Sequence, residues 1–233
     1  MDLGLTGKTV IVTGGSSGIG LASVRAFLDE GANVAFCARG ADRLADVNAD
    51  LAREFGADRV FAQALSVLDR AAVEQFVAQV ANRFGGCDAL VTNAGQGRVS
   101  TFADTTDDAW REELELKFFS QINPIHASLP LLQVSNAGAI VAVNSLLAYQ
   151  PEPHMVCTSA ARGGVQNLLK SLARELAPKI RVNSILLGLG PAAGSRAGAG
   201  LSGLACRQLY HRGATGTLGR RIALCLTAWK DRR

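Results

Sequence analysis

The residues from 13 to 20 carry the most legible chemistry in the chain: Thr13, Gly14, Gly15, Ser16, Ser17, Gly18, Ile19 and Gly20. They follow the β-rich stretch Lys8 to Thr13 and lead directly into a helical pattern. Glycines in such a loop let the backbone come close to a bound group, and the unpaired N–H groups of a helix start favour negative charge there. The implied chemistry is binding of a pyrophosphate. A tight turn without a ligand has the same composition; the strand–loop–helix context favours the ligand. A second kind of chemistry is set aside by spacing. The five cysteines, Cys37, Cys87, Cys157, Cys206 and Cys225, are odd in number and show no CxxC pair, so neither a disulfide framework nor a metal site is expected.

The elements that must position this loop follow from periodicity. Short apolar runs rich in β-branched residues alternate with stretches of helical period. Strands are expected at Lys8 to Thr13, Asn33 to Cys37, Arg59 to Leu65, Asp88 to Thr92, Gly138 to Ser145 and Ile180 to Leu186. Helices are expected after Gly20 and over Leu44 to Phe55, Asp69 to Phe84, Trp110 to Leu132 and Met155 to Leu176. Parallel strands need crossovers of a dozen or more residues, and each gap here supplies one helix. The fold class is therefore α/β, a three-layer doubly wound parallel sheet of the Rossmann type.

Within that frame, Thr13 to Gly20 resembles the TGxxxGxG loop of the short-chain dehydrogenase/reductase family, and Asn93, Ala94 and Gly95 resemble its NAG motif. Ser145, the helix from Ser159 to Ala177, and Ile180 to Asn183 extend the resemblance over about residues 5 to 188. It implies a nicotinamide nucleotide held by Gly14, Ser16, Ser17, Gly18, Ile19, Gly20, Asn93, Ala94 and Gly95. NAD-preferring members place an acid at the end of the second strand, where it accepts from the adenosine ribose. Here Ala38 and Arg39 stand instead, and an arginine can pair with a 2′-phosphate, so NADP(H) is favoured over NAD(H). A solvated surface role for Arg39 is the alternative. Ser66 and Val67 occupy the adenine-contacting position where the family has Asp-Val.

The resemblance breaks where the family transfers protons. Its members use a Ser to orient the substrate carbonyl, a Tyr as acid or base, a Lys four residues on and an Asn from the long helix. Ser145 matches. The Tyr position holds Thr158, the Lys position holds Arg162, and the Asn position holds Lys117. A threonine hydroxyl is far less acidic than a phenol, and a guanidinium is effectively never deprotonated. His154 would share a helix face with Thr158 if the helix already includes it, and is otherwise a surface or first-turn residue. Tyr149 either lines the substrate pocket or serves as the acid. Lys117 reads as a solvated or ion-paired lysine or as a relocated catalytic one. The resemblance implies an oxidoreductase acting on a carbonyl or alcohol, atypical or weakly active; the alternative is an inactive nucleotide-binding or scaffolding protein of the same fold.

Composition sets the remaining bounds. With 233 residues, 48% of them hydrophobic, the chain can bury one sizeable core. No run of about 18 apolar residues appears and Met1 to Gly4 lacks the features of a secretory signal, so a cytoplasmic location without membrane attachment is expected. Eight basic residues and one acid lie from Gly188 onward, a local charge of +7 against +4 overall. The organisation expected is a nucleotide-binding domain over 1–187 and a divergent basic Gly/Ala/Arg-rich tail over 188–233. The family's substrate lid, last helix and last strand are not found there, and the sixth strand is expected to form an unpaired sheet edge. A coding sequence read out of phase and a diverged tail docking through Ile222 to Trp229 both account for this. No aromatic residues interleave with the tail arginines in a recognised module, so nucleic acid is not expected as a partner. The family resemblance adds a homo-oligomer, dimer or tetramer, formed through the helices at 110–132 and 155–176.

Overall fold

The computed structural model describes residues 3–188 and the backbone of 206–209. The strands are β1 (Thr9–Thr13), β2 (Asn33–Ala38), β3 (Val60–Ala64), β4 (Ala89–Thr92), β5 (Ala139–Ser145), β6 (Arg181–Leu187) and β7 (Cys206–Leu209). The helices are α1 (Gly18–Asp29), α2 (Ala41–Phe55), α3 (Arg70–Phe84), α4 (Asp107–Val134) and α5 (Val156–Glu175), with a single 3-10 turn at Leu146–Ala148. The sheet order is β3-β2-β1-β4-β5-β6-β7. Strands β1 to β6 are parallel, as the alternation of strand and helix requires.

Strand side chains alternate between faces, and this period divides the core in two. Val10, Val12, Val34, Phe36 and Val91 point to one side, where Val24 and Phe27 of α1 and Leu44 and Leu51 of α2 cover them. Ile11, Ala35, Leu90 and Ile140 point to the other, against Phe76 and Val80 of α3, Ile125 and Leu132 of α4, and Val165 and Leu169 of α5. Local signals fix the helix ends. Asp69 accepts from the Ala72 N–H at 3.0 Å to cap α3. Thr106 accepts from the Ala109 N–H at 3.2 Å to cap α4, whose first turn carries Asp107 and Asp108.

One expectation is corrected. The end of β6 is not a bare edge: Cys206–Leu209 pairs with it antiparallel, from Ser184↔Leu209 to Leu187↔Cys206. A seventh strand is therefore present, but it runs against the other six, a non-standard end to an otherwise parallel sheet. The expected lid after β6 and the apolar segment at 222–229 lie outside the described residues.

Winding reverses between β1 and β4, and at such a switch point the loops leaving the two strands diverge to open a crevice. The glycine-rich loop after β1 and the Asn93–Gly95 segment after β4 both lie there.

Candidate functional site: a nucleotide crevice beside a buried ionic cluster

The loop after β1 is anchored by its own backbone. The Gly14 and Gly15 N–H groups donate to the Cys37 carbonyl at 2.8 and 3.1 Å. Gly14 has φ +71, the left-handed region that favours glycine. A side chain at Gly20 would place its Cβ 2.0 Å from the Gly14 carbonyl oxygen, so α1 can sit this close to the loop only without one. Asn93 completes the support. Its side-chain amide donates to the Thr13 and Gly14 carbonyls at 3.1 Å each, and its N–H donates to Thr13 Oγ1 at 3.0 Å.

These elements surround a cavity of about 520 Å³. Gly14, Ser16, Ser17 and Ile19 line it from the loop after β1 and the start of α1, Arg39 and Arg43 from the end of β2 and α2, and Ser66 and Val67 from the loop after β3. Asn93, Ala94 and Gly95 border it from β4. Of the nucleotide-binding residues expected from the sequence, Gly18, Gly20 and Arg162 are not in this lining and the others are. Ser17, the residue before α1, makes no side-chain cap, and the first turn of α1 holds no acid. The start of α1 thus reaches the cavity through Ser17 and Ile19 without a side-chain cap, an arrangement that fits an anionic pyrophosphate. Cys37 also lines the cavity, but burial pushes its thiol up to about 12, so it is no nucleophile at neutral pH. The Ser66 hydroxyl accepts from the Leu68 N–H at 3.3 Å and holds its own turn.

The second group of residues lies beside this crevice rather than in its lining. Ser145 ends β5; its hydroxyl donates to the Leu187 carbonyl at 3.1 Å and accepts from the Leu147 N–H at 3.2 Å. Thr158, on the first turn of α5, is fully buried. Its Oγ1 accepts from the Arg98 N–H at 2.9 Å and lies 3.1 Å from the Arg98 carbonyl and 2.5 Å from Glu113 Oε1. Lys117 is buried on α4, not solvated, and its ammonium contacts Glu113 at 2.8 Å and the Gln96 carbonyl. Burial lowers the Lys117 pKa, the hydrogen bond and charge of Glu113 pull it back up, and Arg162 lowers it further. Arg162 is itself lowered by burial, with Glu113 opposing. One Arg162 Nη donates to Asn144 Oδ1 at 3.1 Å, while its buried Nε has no partner among the described residues.

One candidate recedes. The helix begins at Val156, so His154 is an exposed residue ahead of it and does not share a face with Thr158; its carbonyl accepts from the Ser100 N–H at 2.9 Å. Tyr149 is 45% exposed with the Lys170 ammonium 5.2 Å above its ring. Two participants were missed by sequence reasoning. Asn144 holds Arg162, and Glu113 joins Lys117 to Thr158. For Glu113 a signal existed: it stands four residues before Lys117 on one helix, the spacing of an ion pair.

The comparisons agree with this geometry. The short chain dehydrogenase pattern matches residues 8–193. A short chain oxidoreductase from Pseudomonas aeruginosa PAO1, described as containing an atypical catalytic center and solved with NADPH bound, is 56% identical, with a TM-score of 0.77 over 80% of this chain and 73% of that one. L-sorbose reductase from Gluconobacter frateurii, solved with NADPH and L-sorbose, is 34% identical, with a TM-score of 0.74 over 79% of this chain and 70% of that one. An uncharacterized oxidoreductase of Bacillus subtilis (strain 168) is 33% identical over 189 residues, 81% of this chain and 70% of its own. The parallel sheet, the glycine-rich loop at its switch point and the matched span make this chain a member of the short-chain dehydrogenase family.

Proposed function

We propose that the protein is an NADP(H)-dependent oxidoreductase acting slowly on a carbonyl or alcohol substrate. The observation that carries this reading is the crevice itself, lined both by the start of a helix without a side-chain cap and by two exposed arginines, Arg39 and Arg43. The nicotinamide nucleotide, when bound, supplies or takes up the hydride. Gly14, Ser16, Ser17 and Ile19 hold the pyrophosphate at the start of α1, and Arg39 pairs with the 2′-phosphate with no described carboxylate competing for it. Ser66 and Val67 border the adenine. The unpartnered Nε of Arg162 is a donor for the ribose, and its charge stabilises negative charge developing on the substrate oxygen. Ser145 orients the carbonyl by turning its hydroxyl from Leu187.

Slow turnover follows from Thr158. General acid–base catalysis contributes about 10²- to 10⁴-fold in rate, and no phenol stands at this position to supply it. The burial of Thr158 and the engagement of its hydroxyl also support a second reading, an inactive nucleotide-binding protein. We place the protein in the cytoplasm, on its free buried thiols Cys37, Cys87 and Cys157, and take its partners to be a small carbonyl or alcohol and further copies of itself rather than nucleic acid or membrane.

Titration of the purified chain with both nucleotides tests the cofactor assignment. NADPH is expected to bind at least tenfold more tightly than NADH, and Arg39→Asp to remove or reverse that preference. Equal affinities that the substitution leaves unchanged overturn it. Turnover on a panel of ketones with NADPH and of alcohols with NADP⁺ separates the two readings: slow NADPH oxidation by a ketone or slow NADP⁺ reduction by an alcohol supports an enzyme, and neither with any substrate supports the inactive protein.

A further inference from the structure

The ionic cluster beside the crevice contains one acid among several donors, and that acid occupies its centre. Glu113 is 3% exposed. Its Oε1 lies 2.8 Å from the Lys117 ammonium on the same helix and 2.5 Å from Thr158 Oγ1 on α5, with the Arg162 guanidinium close enough to interact electrostatically. Lys117 is thus ion-paired with this carboxylate, and the charge of Arg162 acts on it from farther away, in a place water hardly reaches.

Counting hydrogens gives the acid a specific task. Thr158 Oγ1 has one hydrogen. It already accepts the Arg98 N–H, and two acceptors compete for that hydrogen: the Arg98 carbonyl at 3.1 Å and Glu113 at 2.5 Å. Hydrogen bonds to an ionised acceptor are shorter and about twice as strong as neutral ones. The hydrogen goes to Glu113, and the hydroxyl is committed to holding the loop at Arg98 onto α5. The Arg98 side chain returns to α4 through a 2.6 Å ion pair with Glu112, the neighbour of Glu113. Lys117 has the converse problem. A buried ammonium beside a guanidinium tends to lose its proton, and Glu113 opposes this.

We propose that Glu113 is the positioning residue of this site: it keeps Lys117 an ammonium directed at the Gln96 carbonyl, and it takes the Thr158 hydroxyl as a donor so that the loop at Arg98 is fixed against α5. This rests on reading Lys117, Thr158 and Arg162 as the altered proton-transfer group, and it moves the site's exchangeable charge from position 158 to position 117. Glu113 acts through these neighbours and not on a ligand. The groups facing the Lys117 ammonium are Glu113 from its own helix, Arg162 and Cys157 from α5, and the Gln96 carbonyl from the loop after β4.

The test reads Lys117 directly and needs no turnover. The full chain is labelled with ¹³Cε-lysine, the Lys117 signal is assigned by its loss in Lys117→Arg, and its titration is followed in wild type, Glu113→Gln and Glu113→Asp. The Lys117 midpoint is expected to fall by at least one pH unit in Glu113→Gln and to recover partly in Glu113→Asp, in which a carboxylate remains. Amide exchange at Arg98 and Thr158 is expected to quicken at least tenfold in Glu113→Gln, with exchange in β1 and β4 unchanged. A Lys117 midpoint common to wild type and Glu113→Gln overturns the proposal. If Glu113→Gln fails to fold, a midpoint in Glu113→Asp equal to that of wild type overturns it as well. Absence of turnover in the wild type bears on the oxidoreductase reading alone and leaves these midpoints to decide the role of Glu113.

Discussion

Thr158 is fully buried, and its surroundings are built for a small side chain. Its Cγ2 lies 4.0 Å from the position a Cβ on Gly97 would take, and its hydroxyl is held between Arg98 and Glu113. Restoring the family's tyrosine here alone places a phenol where loop, helix and carboxylate already meet. Thr158→Tyr is expected to destabilise the chain by about 1–3 kcal/mol, the usual cost of overpacking a filled site, without raising turnover. Thermal unfolding and NADPH oxidation check both parts; an unchanged melting temperature with at least tenfold faster turnover contradicts them. The identity of the residue at 158 was plain from its spacing after Ser145. Its environment was not, because Arg98 and Glu113 lie 60 and 45 positions away along the chain.

At the scale of the element, α4 is the helix that sequence patterning describes least well. Glu113, Lys117, Ser120 and Gln121 recur at helical spacing and all are buried, whereas Leu114 and Phe119 are 39% and 46% exposed. An amphipathic reading turns the polar stripe outward. The structure turns it inward because each group finds a partner there: Glu113 finds Lys117 and Thr158, and Gln121 finds the Thr92 hydroxyl. The outward apolar residues are where we place the homo-oligomer contact expected of α4 and α5. Phe119→Glu is expected to convert the assembly to monomers at micromolar concentration, read by sedimentation velocity. A wild-type chain that sediments as a monomer removes this assignment. The other helices were legible to within a few residues, since the buried faces of α1 and α3 are largely apolar and Asp69 marks the start of α3 at its cap.

For the whole molecule, nucleotide binding and folding are linked. The crevice is assembled from β1, β2, β3 and β4 together, so a ligand that binds it favours the folded chain over the unfolded one. At a free NADPH concentration one hundred times Kd the stabilisation is about 2.7 kcal/mol. For a domain of this size that corresponds to a rise of roughly 5–10 °C in Tm. NADH at the same concentration is expected to give a smaller shift, and Arg39→Asp to narrow the gap; thermal scans with each nucleotide measure it. The same shift for both nucleotides in wild type contradicts the preference.

Sequence alone determined what depends on neighbours along the chain. Short apolar runs separated by helical crossovers dictated a parallel sheet, and a glycine run between β1 and α1 dictated a tight loop against which the helix packs closely, because both are set by local geometry. The family resemblance, counted along the chain, pointed to Ser145, Thr158, Arg162 and Lys117. Tertiary structure alone decided what depends on partners brought from afar: the antiparallel direction of Cys206–Leu209 on β6, the support of Arg162 by Asn144, and the meeting of Glu113, Lys117 and Thr158 around one carboxylate. The physical reason is that a buried charge is tolerated only where opposite charge and hydrogen bonds reach it. Thr158 comes to this carboxylate from a different helix, so the contact exists only once α4 and α5 pack side by side.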